Sequence, residues 1–190
     1  MNQKTIGFAL TGSFCTFQKA FAAMEALAAQ GYALVPIFSF RAGQEDTRFG
    51  RAAEHLARTE AICSRPPLTT LQEVEPIGPK GLLDALLIAP CTGTTLARLA
   101  HGLADTPVAM AAKSQLRNGR PVILAVSTND GLGAAAANLG ALLPRRHFYF
   151  VPFGQDDPAG KPASLVADFT RIPETVAAAL DGRQLQPLLR

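Results

Sequence analysis

Tryptophan is absent from the 190 residues, tyrosine occurs twice, and cysteine occurs three times, as Cys15, Cys63 and Cys91. An odd number of widely spaced cysteines with no CxxC pair excludes a disulfide framework and a cysteine-rich zinc centre. The histidines, His55, His101 and His147, show no metal-ligand spacing, so no metal site is expected. Charge is scarce as well: 17% of residues are charged, against about 25% in an average protein. The net charge of +3, from 18 basic and 15 acidic residues spread along the chain, offers nucleic acid no basic patch. No apolar run approaches the ~18 residues of a membrane helix. The start, MNQKTIGFALTGSF, carries one lysine and has Gly, Thr and Ser inside its apolar stretch. It reads as a strand entering a turn and not as a signal peptide. A cytoplasmic protein is expected, with neither membrane nor nucleic acid as partner.

What is present is a 48% apolar chain, long enough to bury roughly 70% of its unfolded surface. Ordinary apolarity with little charge implies that part of the surface faces other subunits. Short β-rich runs alternate with alanine-rich helical ones. Strands are expected at 5–10, 32–40, 82–90, 121–128 and 147–153. Pro36 suggests that the second is irregular or at an edge. Helices are expected at 14–30, 51–62, 92–103, 107–117, 132–143 and 164–180. In the first helix, Phe17, Phe21, Met24, Leu27 and Ala28 recur at helical spacing, and Gly31 suits the residue after its end. Residues 41–50 read as a polar loop. The tail RQLQPLLR either docks on a neighbour or frays. Strands alternating with helices imply one α/β domain over residues 1–190: a doubly wound, Rossmann-like fold with a central parallel sheet and helices on both faces.

In such folds the ligand sits beyond the carboxyl ends of the strands. After the first strand, Thr11, Gly12 and Ser13 form a turn into a helix whose free N–H groups suit a phosphate. An ordinary capped turn reads the same way, and neither GxGxxG nor a P-loop is present. Ser39 follows the second strand. After the third come Pro90, Cys91, Thr92, Gly93, Thr94 and Thr95, more hydroxyls than one helix cap requires. After the fourth come Ser127, Thr128 and Asn129. These polar ends suggest a neutral hydrogen-bonding cradle for a ligand with one phosphate and a flat polar ring. No catalytic pair is apparent from spacing. Cys15 and Cys91 are placed at helix starts, which lower a thiol's pKa. Arg48, Lys113, Arg117 and Arg120 are candidates to meet a carboxylate, although solvated surface cations look the same.

The segment APCTGTTLARLAHGLADTP and the strand end PVILAVSTN resemble the flavoprotein family of FMN-dependent cysteine decarboxylases and flavin prenyltransferases. In that family a Pro-Ala-Ser/Thr-Ala-Asn-Thr motif opens the helix after the third strand and holds FMN. Here it reads Pro90-Cys91-Thr92-Gly93-Thr94-Thr95. Thr11, Gly12, Ser13 and Ser39 fall where the family binds the flavin phosphate, and Ser127, Thr128 and Asn129 fall at the ring. Across the whole chain, IGFALTGSFCTF, DTRFG, EPIGPKGLLDALLIAP, FYFVPFGQDDPAGKP and LQPLL are similar to one branch of that family. Its members are B subunits of a two-subunit oxidoreductase that makes an aromatic pyridine dicarboxylate during spore formation.

The resemblance implies FMN on this chain, a partner A subunit carrying NADP, and a dicarboxylate substrate near Arg48, Lys113 and Arg117. It also implies a homo-oligomer built on trimers, in the mother cell of a sporulating bacterium. Thr94 stands where the decarboxylases carry a catalytic Asn, and Val126 stands for the Pro of their later Pro-x-Met-Asn motif. Both departures argue against decarboxylation of a thiol substrate. A non-catalytic scaffold that activates the A subunit, or a stand-alone FMN-dependent decarboxylase, are the alternatives.

Overall fold

Five parallel strands order the molecule, because each is a continuous apolar run that must be covered on both faces. The computed structural model describes residues 3–190. The chain begins with β1 (Thr5–Leu10), a 3-10 turn at Phe14–Thr16, α1 (Phe17–Ala29) and β2 (Ala33–Phe38). It continues through α2 (Phe40–Gln44), α3 (Ala52–Cys63), the single turn α4 (Leu71–Val74) and β3 (Ala85–Cys91). Next come α5 (Gly93–Ala100), α6 (Pro107–Arg117), β4 (Val122–Thr128) and α7 (Ala136–Leu142). Last are β5 (Phe148–Phe150), β6 (Phe153–Gly154), β7 (Leu165–Ala167) and α8 (Ile172–Leu180).

The parallel strands lie in the order β2-β1-β3-β4-β5. Helices α1, α3 and α8 pack on one face, and α5 and α6 pack on the other. β2 is the edge strand, as Pro36 suggests. Phe38 donates its N–H to Leu68 on the outer side, and by the two-residue period the missing N–H of Pro36 points the same way. Gly31, at φ 87°, ends α1 in the left-handed conformation expected of a residue after a helix. Among the described residues no helix is long and apolar enough to cross a membrane.

Four expectations need correction. Residues 41–50 are not all loop: Ser39 accepts a hydrogen bond from the Ala42 N–H and starts α2 there. The expected strand 147–153 breaks into β5 and β6 beside Pro152, which lacks the N–H a ladder needs. The expected helix 132–143 shortens to α7, since residues 131–135 wind through turns around Gly131 and Gly133. The largest change is at the last helix. Its first residues form β7, antiparallel to β4 through Ser127 and Val166 and to β6 through Phe153 and Ala167. Leu165 and Ala167 are buried and Val166 is half-buried, a strand's alternation. The sheet is therefore mixed, seven strands with a parallel centre. The tail docks on the chain's own sheet: Gln184 holds both backbone groups of Phe150, and Leu188 and Arg190 pair with Phe153.

His55 on α3 is 5% exposed and packs edge-on against Phe17, its ring 4.9 Å away. Its Nε2 has no partner among the described residues, and burial holds its pKa below the ordinary 6.5. A depressed histidine pKa means that the unfolded chain binds the proton more readily. Stability from this group is then complete above pH 6.5 and declines as the pH falls below it. His55→Leu should flatten the acid side of the stability curve in chemical denaturation across that range. Identical slopes in the two proteins would contradict a buried neutral His55.

Candidate functional site

The strand order reverses between β1 and β3, where doubly wound sheets bind their ligands. An open cleft of about 1020 Å3 lies there, against the carboxyl ends of β1, β3 and β4. Its floor starts with the buried Thr11, whose hydroxyl donates to the Pro90 carbonyl (2.7 Å) and accepts from the Thr92 N–H (3.1 Å). That side chain ties β1 to β3 and is buried away from a ligand. Beyond it, the Ser13 hydroxyl lies 2.8 Å from that of the buried Ser127, joining β1 to β4. The backbone N–H groups of Gly12, Phe14 and Cys15 have no acceptor among the described residues. Unpaired amides leading into α1, with the positive end of its dipole behind them, suit an anion.

The second wall is the start of α5. Thr92 caps it, accepting from the Thr95 N–H (3.2 Å), and the two hydroxyls lie 3.0 Å apart. Thr94 is exposed, and its side chain has no partner among the described residues. Gly93 must lack a Cβ, which would lie 2.9 Å from both the Asp130 Oδ1 and the Thr128 Oγ1. That contact brings the end of β4 against α5. There Thr128 donates to Asp130, and Asn129 is exposed, its amide unpaired among the described residues.

Arg48 stands at the mouth, its guanidinium 4.8 Å from the centre of the Phe49 ring. Lys19 and the 154–164 loop, with Asp156 and Lys161, complete the lining. The cysteines divide by burial. Cys91 is wholly buried and its thiol is pushed far up; Cys63 is pushed up to about 12. At Cys91 desolvation outweighs the helix start, and the thiol is a structural one. Cys15 is exposed in the cleft. Among the described residues no group of His, Cys, Asp and Glu is placed to hold a metal.

Of the residues singled out in the sequence, Gly12, Ser13, Cys15, Arg48, Thr92, Gly93, Thr94, Ser127, Thr128 and Asn129 line this cleft. The others do not. Thr11, Cys91 and Thr95 are buried, the Pro90 carbonyl is held by Thr11, and Ser39 caps α2 outside the lining. Lys113 and Arg117 are misplaced as substrate cations, because α6 runs back toward the amino ends of the strands. Arg117 there approaches Gly78, and the Arg120 guanidinium donates to the Gly81 and Leu83 carbonyls. Residues missed include Phe14, Lys19, Asp130, Asp156 and Lys161. Lys19 is legible as the first turn of the helix after β1. The 154–164 loop is not legible, since only the β7–β4 pairing returns it to the cleft.

A sequence model of the flavoprotein family matches residues 1–136. The chain is 44% identical over 186 residues to the B subunit of dipicolinate synthase of Bacillus subtilis (strain 168), covering 98% of this chain and 93% of that one. The crystal structure of the dipicolinate synthase B subunit from Bacillus halodurans superposes with a TM-score of 0.91 at 42% identity, over 100% of this chain and 98% of the other. An FMN-dependent cysteine decarboxylase, SpaF, has a TM-score of 0.63 at 18% identity, covering 95% and 96%, a likeness of fold.

Two threonines separate scaffold from site. Thr11→Val removes a buried hydroxyl with two partners and should cost ~1–3 kcal/mol of unfolding free energy. Thr94→Val removes an exposed, unbonded one and should stay within about 0.5 kcal/mol of the parent. Denaturant midpoints check both, and the reverse order would contradict these roles.

Proposed function

The chain belongs to the flavoprotein family, and from that premise we propose that it is the FMN-binding B subunit of a dipicolinate synthase. With the synthase's A subunit as partner, it oxidises dihydrodipicolinate to dipicolinate in the mother cell cytoplasm during spore formation. The carrying observation is the cleft at the strand reversal, which holds an anion seat and, at Thr94 and Asn129, neutral hydrogen-bonding groups with no partner among the described residues. The fit to FMN rests on those groups. The Gly12, Phe14 and Cys15 amides suit a phosphate, and Thr94 and Asn129 suit the polar edge of a flat ring. The Ser13–Ser127 pair lies at the base of the cleft between them.

When bound, FMN supplies an acceptor for a hydride. Aromatisation of the dihydropyridine removes that hydride and one proton, so two electrons leave with the hydride and the proton goes to a base. This chain's residues hold the flavin, and the cations at the mouth attract the two carboxylates. NADP is assigned to the A subunit, because β1 is followed by neither a GxGxxG turn nor a ribose-binding acid. The exposed Leu103, Leu132 and Leu143 and the low charge fraction support a homo-oligomer, which we read as built on trimers.

One observation favours a second reading, a scaffold that activates the A subunit. Thr94 replaces the catalytic Asn of the decarboxylases, and among the described residues the acids lining the cleft are both engaged, Asp130 by the Thr128 hydroxyl and Asp156 by Lys161. The same replacement disfavours a stand-alone decarboxylase.

Flavin binding and the scaffold role are separable. Added FMN should change the purified protein's absorbance and saturate at micromolar concentration. It should also slow maleimide labelling of Cys15, the exposed thiol of the cleft. No spectral change and unprotected Cys15 would remove the flavin role and leave the scaffold.

A further inference from the structure

Three cations reach the cleft from segments far apart in sequence: Lys19 in the first turns of α1, Arg48 in the loop before α3, and Lys161 in the 154–164 loop. Two acids line it with them. Asp130 is taken by the Thr128 hydroxyl. Asp156 lies 3.8 Å from the Lys161 ammonium. The nearby Ser164 hydroxyl first, then its own backbone N–H, Lys161 and Lys19, hold its carboxyl below the ordinary range. Neither Lys19 nor Arg48 forms an ion pair among the described residues. Three positive groups thus face one available carboxylate. Lys19 and Asp156 also line the neighbouring groove of about 780 Å3, against the alanines of α1. The Lys19–Asp156–Lys161 group therefore borders both depressions.

We propose that Lys19 and Lys161 are the receptor for one carboxylate of a planar pyridine dicarboxylate, with Arg48 for the other, and that Asp156 stands in for the ligand's carboxylate until it binds. The inference rests on the dipicolinate reading above and names the positioning residues for it, in place of Lys113 and Arg117 on the far end of the sheet. Surplus positive charge in a wet cleft attracts a dianion more than a monoanion. The internal acid lies against the Lys161 ammonium and must be displaced when the ligand enters. Arg48 contributes a planar fork that matches a carboxylate, and the Phe49 ring beneath it restricts its motion.

The test is calorimetric titration of the full chain with dipicolinate, and with picolinate as the monocarboxylate. The parent protein should bind dipicolinate more tightly than picolinate, and added salt should weaken the difference. Lys19→Met and Lys161→Met should each weaken dipicolinate binding by about tenfold. Asp156→Asn should tighten it severalfold, because the competing carboxylate is gone. Lys113→Met should leave it unchanged. FMN titration of the same variants gives the second readout. Weakened FMN binding with unchanged dipicolinate binding would overturn the proposal and assign these lysines to the flavin phosphate. So would a parent protein that binds FMN but not dipicolinate. A parent that binds dipicolinate in this lysine-dependent way, but not FMN, supports the proposal while the flavin reading fails.

Discussion

The junction between β1 and β3 is the constraint on which the site depends. Thr11 uses its hydroxyl inside the protein, donating to the end of β3 and accepting from the start of α5. Buried hydroxyls must be paired, so this position fixes two strand ends relative to each other. The Ser13–Ser127 pair extends the same closure to β4. Gly93 then admits Thr128 and Asp130 to van der Waals distance of α5. Once these contacts are set, the next residue along each segment, Gly12, Thr94 or Asn129, faces the opening. The polar groups used to build the floor and those left for a ligand are neighbours on the same segments.

This division decides what chemistry the cleft supports. Its walls hold amides, hydroxyls and a carboxamide, and its Asp130 carboxylate is taken by the Thr128 hydroxyl. The buried Cys91, with its raised pKa, is no nucleophile. A site of this kind binds and orients, and leaves electron transfer to a bound group. That agrees with membership of a family named for its flavin. It also explains how a chain that departs from the decarboxylase residues at Thr94 and Val126 keeps the cradle around them.

Much of this was legible in the sequence, and the limits are physical. Continuous apolar strands and Gly31 set the parallel core, and the hydroxyl-rich strand ends located the cleft. Three kinds of information were not local. Whether a hydroxyl is used inside or offered outside depends on a partner some eighty positions away, as with Thr11 and Pro90. The direction in which α6 returns decides that Lys113 and Arg117 lie away from the cleft. The switch of residues 165–167 from helix to strand is dictated by the free edge at the end of β4, a tertiary demand that overrides local propensity. Lys161 reaches the cleft only through that switch.

The most direct test of the central claim is a crystal structure of the protein grown with FMN. The account predicts flavin density in the cleft at the strand reversal, with the phosphate on the Gly12, Phe14 and Cys15 amides and the ring edge beside Thr94 and Asn129. Flavin density in the groove between α1 and β7, or at a surface away from the carboxyl ends of the strands, would contradict it.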